Sequence, residues 1–242
     1  MKIVVINGQT HKGCSYRLGH KFTEMISEKC DAEITEFFLP KDLNGFCKGC
    51  YACLSDTSKC YMAKEKSIIS EAMKNADVLV FTTPNYCMSC SAPMKAFLDF
   101  FFDIWQVHRP ESWAYKKRAF IFSTSAGAKN KPTLNTVKSS VGGWGVPYIK
   151  TFGIAMHANS YEKASDNKKA KIEKKLRRMA DKLCEEIKKG KPPKAGLNIK
   201  GFFYICRLMH KKGWDSAPEE KVYWQEKGWL DKARPWKDVE TK

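Results

Sequence analysis

Through the first 190 positions, apolar residues alternate between short unbroken runs and longer stretches of helical period. Ile3, Val4, Val5 and Ile6 form a β-branched run without polar alternation, the pattern of a strand covered on both faces of a parallel sheet. Tyr16, Leu18, Phe22, Met25 and Ile26 then recur at helical steps, with Ser15 placed to cap that helix. The cycle repeats. Glu33–Leu39 reads as a second strand ending at Pro40, Ile68 to Ala76 as a helix, and Val78–Phe81 as a third strand ending at Thr82-Thr83-Pro84. Pro93, favourable in a first helical turn, opens a helix carrying Met94, Phe97, Leu98, Phe101, Ile104 and Trp105. Ala119–Ser123 supplies a fourth strand, Leu134–Val141 a helix stopped by Gly142-Gly143, and Tyr148–Met156 a fifth strand. The longest helix, 163–189, puts Ile172, Leu176, Met179, Leu183 and Ile187 on one face and lysines on the other, and Gly190 with Pro192-Pro193 ends it.

Five strands alternating with five helices predict an α/β fold, a doubly wound five-stranded parallel sheet over residues 1–189. Residues 41–63 form an insertion with no clear period. Residues 190–242 form a C-terminal extension with no strand pattern, yet with four of the seven tryptophans (Trp214, Trp224, Trp229 and Trp236). Its Phe202, Phe203, Ile205, Leu208 and Met209 need a surface to cover, either the body of the protein or a second subunit, with an amphipathic membrane contact the weaker alternative.

In a doubly wound sheet the ligand lies beyond the carboxyl ends of the strands, where strand order reverses. Loops 7–15, 84–91 and 124–130 belong at that edge, and they are rich in Gly, Ser, Thr, Asn and Pro rather than carboxylates. The first is the most informative. A buried strand ending at Asn7-Gly8, a polar loop of Thr10, His11, Lys12 and Gly13, and a helix start at Ser15 bring amide N–H groups, a hydroxyl and a positive dipole end to one point. Such a point suits a phosphate. An ordinary βα turn without a ligand explains the same stretch equally well. Neither G-x-G-x-x-G nor the Walker pattern is present.

Composition adds bounds. At 43% apolar, 242 residues can bury a substantial core, and no stretch approaches the ~20 apolar residues of a membrane span. Ile3–Ile6 is too short for a signal-peptide core and no small-residue cleavage site follows, so the expected location is the cytoplasm. The net charge of +17 is uneven: residues 1–162 carry 20 basic and 14 acidic side chains, residues 163–189 carry 11 and 5, and residues 190–242 carry 12 and 7. This excess toward the C-terminus suits nucleic acid, an anionic membrane, an acidic electron-transfer partner or, most simply, solubility.

Ten cysteines in a cytoplasmic chain point to metal or redox chemistry rather than disulfides. Cys47, Cys50, Cys53 and Cys60 follow C-x2-C-x2-C-x6-C. Three thiols at three-residue steps wrap three corners of a cubane, and the fourth returns from a short loop. Ferredoxins use the same opening run, although their next cysteine usually serves a different cluster. Structural zinc more often uses two separated C-x2-C pairs. The spacing favours [4Fe–4S] over zinc, and by a smaller margin over free thiols or a switching disulfide. Cys87 and Cys90 form a further C-x2-C, read as packing residues rather than a redox dithiol. Cys14, Cys30, Cys184 and Cys206 read as buried single thiols.

Together these residues resemble the NADPH-dependent FMN reductase family of flavodoxin-like proteins, and within it the iron–sulfur flavoproteins. The likeness lies in the ordered combination of the Gly8–Ser15 loop, the Cys47–Cys60 run, Pro84-Asn85-Tyr86, and Ser91-Ala92-Pro93-Met94-Lys95 followed by Phe97-Leu98-Asp99, and it covers roughly residues 1–190. The resemblance implies bound FMN, with Gly8, Thr10, His11, Gly13 and Ser15 around the phosphate. It implies Pro84, Asn85, Tyr86 and Cys87 along the isoalloxazine, and Ser125, Ala126 and Gly127 closing its other edge. The family loop usually reads closer to Gly-Ser-Pro-Arg-Lys-x-Gly-Asn-Thr. Here Gln9, Thr10, His11 and Cys14 depart from it, which removes the phosphate-facing arginine unless Lys12 or Arg17 substitutes.

The expected function is an NAD(P)H-dependent oxidoreductase in which flavin carries the chemistry and no side chain need act as acid or base. His11, His20, His108, His157 and His210 show no carboxylate partner at useful spacing. A cubane beside the flavin would join one-electron to two-electron chemistry, with NAD(P)H or ferredoxin as donor and a small-molecule acceptor such as a flavin, a quinone or an oxygen species. A homo-oligomer (dimer or tetramer) without nucleic acid or transmembrane segment completes this reading. The rival is a non-enzymatic flavodoxin-like module, braced by zinc or carrying free thiols, that docks an anionic partner.

Overall fold

A computed structural model of the chain describes residues 1–214 and 218–237. Strands β1 (Lys2–Asn7), β2 (Glu33–Phe38), β3 (Val78–Pro84), β4 (Arg118–Ser125) and β5 (Tyr148–Ala155) form one all-parallel sheet in the order β2-β1-β3-β4-β5. The helices are α1 (Cys14–Ser27), α2 (Ala52–Ser55), α3 (Ala63–Asn75), α4 (Ala92–Phe100), α5 (Lys131–Gly143), α6 (Asp166–Lys188), α7 (Leu197–Lys212) and α8 (Pro218–Glu226). Chain direction across the sheet reverses at β1, so the crevice for a ligand opens between the carboxyl ends of β1 and β3.

The unbroken apolar runs are explained by helices on both faces. Ile3, Val5, Val80, Phe120 and Phe122 face Leu18, Phe22, Ile172 and Leu176 of α1 and α6. Their neighbours Val4, Ile6, Leu79, Phe81 and Ile121 face Ile69, Met94, Phe97 and Val137 of α3, α4 and α5, with Trp144 filling the space beyond. Each strand therefore buries consecutive residues in opposite layers.

Several element boundaries differ from the sequence expectation, and three have a clear physical cause. α1 begins at Cys14 with Gly13 as its cap, and Ser15 lies inside the first turn. The helix expected to continue to Trp105 stops at Phe100, because a tight turn at 102–104 carries Asp103 inward to Lys66, Oδ2 to Nζ 2.5 Å. α5 runs through Gly142 and Gly143 rather than stopping before them. The Trp105 ring lies so close to Gly143 that a Cβ there would meet it at 2.8 Å, so this glycine serves packing and not termination.

The C-terminal residues build a third apolar cluster from Phe203, Cys206, Tyr223, Trp224, Trp229 and Leu230, with Phe203 stacked on Trp224 at 4.9 Å. The cluster is fastened to the segment after α4. Tyr223 donates its hydroxyl hydrogen to the Pro110 carbonyl (2.8 Å), and Trp224 Nε1 donates to the His108 carbonyl (2.7 Å). Of the apolar residues expected to need a cover, Phe203 is buried, while Phe202, Ile205 and Leu208 lie on the exposed side of α7. Among the described residues, no helix is long and apolar enough to cross a membrane.

Candidate cofactor site

A pocket opens at the carboxyl ends of β1, β3 and β4, against the start of α1. Asn7, Gln9, His11, Gly13, Cys14, Ser15, Tyr16, Thr82, Pro84 and Thr124 line it. Gly8 sets the exit from β1. Its N–H donates to the Thr82 carbonyl (2.7 Å) and its carbonyl accepts from Ser91 Oγ (2.6 Å). A Cβ at Gly8 would sit 2.8 Å from that same Ser91 Oγ and 3.0 Å from the Thr82 oxygen.

The start of α1 has no side-chain cap and no acidic residue in its first turn. Its first amides and the positive end of its dipole are thus uncompensated by the protein, the condition that attracts an anion. The Ser15 hydroxyl lies 2.7 Å from Thr124 Oγ1 and accepts from the Thr124 N–H at 3.2 Å. The mutual hydroxyl contact uses one of two O–H hydrogens, so one remains for a ligand. Burial raises the Cys14 thiol, with the charge of Glu162 adding to the effect. No arginine joins the pocket lining: Arg17 pairs with Glu162 at 3.5 Å, and the Lys12 ammonium lies 5.4 Å from the Tyr16 ring centre.

The pocket gathers His11, Gly13, Ser15 and Pro84 of the expected site. Gly8 and Thr10 belong to the same loop without lining it. Asn7, Gln9, Tyr16, Thr82 and Thr124 line it although spacing did not single them out. Thr82 and Thr124 sit at the carboxyl ends of buried strands, and that position was the signal available. Asn85, Tyr86 and Cys87 stand outside the pocket at the same sheet edge. Tyr86 and Ser89 exchange backbone hydrogen bonds at 3.0 and 2.9 Å around Cys87 and Met88, both at positive φ, which makes a tight reversal with Tyr86 and Cys87 exposed. Ser125, Ala126 and Gly127 are tied to the end of β5: Met156 N–H donates to the Ser125 carbonyl (2.8 Å), and His157 N–H donates to the Ala126 carbonyl (2.7 Å).

Cys47, Cys50, Cys53 and Cys60 border a second cavity, with Lys48, Tyr51, Tyr61, Phe100 and Phe102 as its other walls. Its rim is shaped by Gly49 and Tyr51, both in the left-handed region, at φ 63° and 59°. Cys53 is buried, and its thiol is pushed up to about 11, first by burial and then by the Asp103 carboxylate, against the opposing Lys66 ammonium. Among the described residues, no group of three or more His, Cys, Asp or Glu side chains closes around a single metal ion. Four thiols around one apolar-walled cavity supply the number and type of donors that a cubane requires.

Two histidines depart from the expectation of no carboxylate partner. His20 Nε2 lies 3.3 Å from Glu24, one helical turn on, and His108 Nδ1 lies 2.5 Å from Glu220 in α8. The first spacing is visible in the sequence, whereas the second spans 112 positions and is created by the fold.

Residues 1–158 match the sequence profile of the NADPH-dependent FMN reductases. The chain belongs to this family. An iron–sulfur flavoprotein of Clostridioides difficile (strain 630) is 25% identical over 240 residues, covering 94% of this chain and 99% of that protein. Among solved structures, an FMN-dependent NADH-azoreductase from Bacillus anthracis in complex with FMN superimposes with a TM-score of 0.54 at 13% identity, covering 76% of this chain and 99% of that one. An NAD(P)H:quinone oxidoreductase from Methanothermobacter marburgensis gives 0.55 at 13% identity, covering 76% and 98%. At these identities the structural likeness speaks for the flavodoxin-like fold. Family membership makes the chain an FMN-dependent, NAD(P)H-type oxidoreductase. The pocket at the β1/β3 reversal, with its uncapped helix start and spare hydroxyl hydrogen, suits the phosphate of that flavin.

Proposed function

We propose that this FMN reductase carries a [4Fe–4S] cluster on Cys47, Cys50, Cys53 and Cys60, and that it moves electrons between NAD(P)H or ferredoxin and a small acceptor such as a flavin, a quinone or an oxygen species. The observation that supports it is the single apolar-walled cavity bordered by all four cysteines. The Clostridioides relative is an iron–sulfur flavoprotein, which agrees with this reading. Bound flavin supplies two-electron chemistry and a cluster one-electron transfer.

The protein's own residues bind and orient. Thr10, His11, Gly13 and Ser15 hold the phosphate through amides and a hydroxyl, joined by Gln9 and Thr124. The loop after β3, with Pro84, Asn85, Tyr86 and Cys87, borders one side of the isoalloxazine. Ser125, Ala126 and Gly127 border the other. The Asn85 side chain fastens the two loops together by donating to the Lys129 carbonyl at 2.9 Å.

Anaerobic purification with excess FMN, iron and sulfide tests the proposal. The expected product absorbs near ~450 nm from flavin, with a broad brown shoulder from the cluster. It contains iron and acid-labile sulfide in equal amounts and bleaches on addition of NADH, NADPH or reduced ferredoxin. Yellow protein that takes up FMN but no iron overturns the cluster, and colourless protein holding one zinc replaces it with a brace.

A further inference from the structure

Two chains of contact run from α8 to the cysteine stretch, and they arrive on opposite sides of Cys53. In the first, Glu220 Oε1 lies 2.5 Å from His108 Nδ1, the His108 ring meets the Phe102 ring edge-on at 5.3 Å, and Phe102 meets Tyr51 edge-on at 5.9 Å. In the second, the Arg109 guanidinium lies 4.4 Å from the centre of the Tyr223 ring, and Arg109 Nη1 donates to the carbonyls of Leu54 (2.7 Å) and Ser55 (3.3 Å). Tyr223 in turn fixes the neighbouring Pro110 carbonyl at 2.8 Å.

Tyr51 precedes α2, and Leu54 and Ser55 end it, so the two chains grip this helix at its two ends with Cys53 between them. α2 has four residues and no side-chain cap. A helix that short does not hold itself, because nucleation costs more than one turn returns. Its place is therefore set by what it touches. The Arg109 contacts are charge-assisted and face a ring on the other side, a geometry that gives direction as well as attraction.

We infer that α8 and residues 105–111 form the outer brace of the cysteine cage, with Arg109 and His108 as positioning residues that hold the Cys50–Cys53 turn at the cluster. The inference rests on the cluster reading above. It gives the C-terminal extension, which lies beyond the matched family region 1–158, a role at the redox centre.

The test uses the full chain loaded with iron and sulfide under anaerobic conditions. A wild-type chain that takes up no iron overturns the cluster reading itself, and the brace with it. In a chain that loads, Arg109→Ala is expected to speed cluster loss to a chelator by about 10- to 100-fold, the usual effect of removing a partner that orients metal ligands. It should also alter the electron paramagnetic resonance signal of the reduced cluster while FMN content stays at the wild-type level. Tyr223→Phe should shift both readouts in the same direction, and Arg109→Lys, which keeps charge and donor, should restore them in large part. Should Arg109→Ala fail to fold, Tyr223→Phe and His108→Gln carry the comparison. Variants that load fully and keep the wild-type cluster lifetime and spectrum overturn the inference.

Discussion

Gly8 shows how narrowly one residue can be specified. Its amide and carbonyl are both committed, to Thr82 and Ser91, and the space where a side chain would start is already taken by the oxygens of those two residues. Gly8→Ala must push Ser91, which caps α4, or open β1 from β3. Overpacking of this kind costs about 1–3 kcal/mol. We expect a lowered denaturation midpoint together with weaker FMN retention, since the displaced loop is the one proposed to hold the phosphate. Flavin fluorescence on dialysis reads the second effect, and unchanged retention would separate Gly8 from the cofactor. Ser15 makes the complementary point. Its residue type suggested a helix cap, but the hydroxyl faces Thr124 across the sheet edge, so the tertiary contact decides its role.

At the scale of elements, the buried Lys66–Asp103 pair joins α3 to the turn that ends α4. Their side chains are 7% and 2% exposed, and Asp103 Oδ1 has no hydrogen-bond partner among the described residues. Removing one member leaves a charge stranded where water cannot reach it. Lys66→Met is expected to cost about 3–5 kcal/mol, whereas replacing both members by apolar residues of similar volume should be close to neutral. A double-mutant cycle on Lys66→Met and Asp103→Leu, followed by urea unfolding, measures this. Additive single costs would show that the pair does not act as a unit. The same pair explains why a helical apolar pattern running on to Trp105 nevertheless breaks at Phe100. Phe101 and Ile104 stay buried through a tight turn, so the period survives while the helix does not.

At the scale of the whole molecule, Glu111 sits where the sheet domain, the segment after α4 and the extension meet. Burial raises its pKa. The nearby positive charges of Lys227, Lys74 and Arg109 oppose that rise, and Asp103 adds to it. Because the folded pKa lies above the unfolded value, the folded chain keeps a proton that the unfolded chain has released. The associated stability is complete below the unfolded pKa of about 4.5 and is lost as pH rises through the raised native value. Glu111→Gln, which cannot ionise, should therefore gain on wild type as pH goes from 4 to ~7. Urea midpoints at several pH values read this directly, and a constant difference across the range would assign the effect to packing instead. The extension adds a core of its own around Phe203, Trp224 and Trp229, fastened through residues 105–111, so its anchoring and the cysteine stretch share one segment of chain.

What the chain determined by itself is what neighbouring residues can encode. Unbroken β-branched runs and helical periods specified the five-stranded parallel sheet and its two covering layers. The strand–loop–helix at Asn7–Ser15 was placed at the carboxyl edge of the sheet, and the close spacing of Cys47, Cys50, Cys53 and Cys60 put them around one cavity. What only the tertiary structure decided depends on partners far apart in sequence. Ser15 meets Thr124, His108 meets Glu220, and Arg109 reaches back to Leu54, separations of 109, 112 and 55 residues. Periodicity says which face of an element is apolar, but it carries no information about which distant polar group a buried side chain will meet. Those meetings set the geometry of the pocket at the β1/β3 edge and of the cysteine turn, and they exist only once the sheet and the extension have brought the chain together.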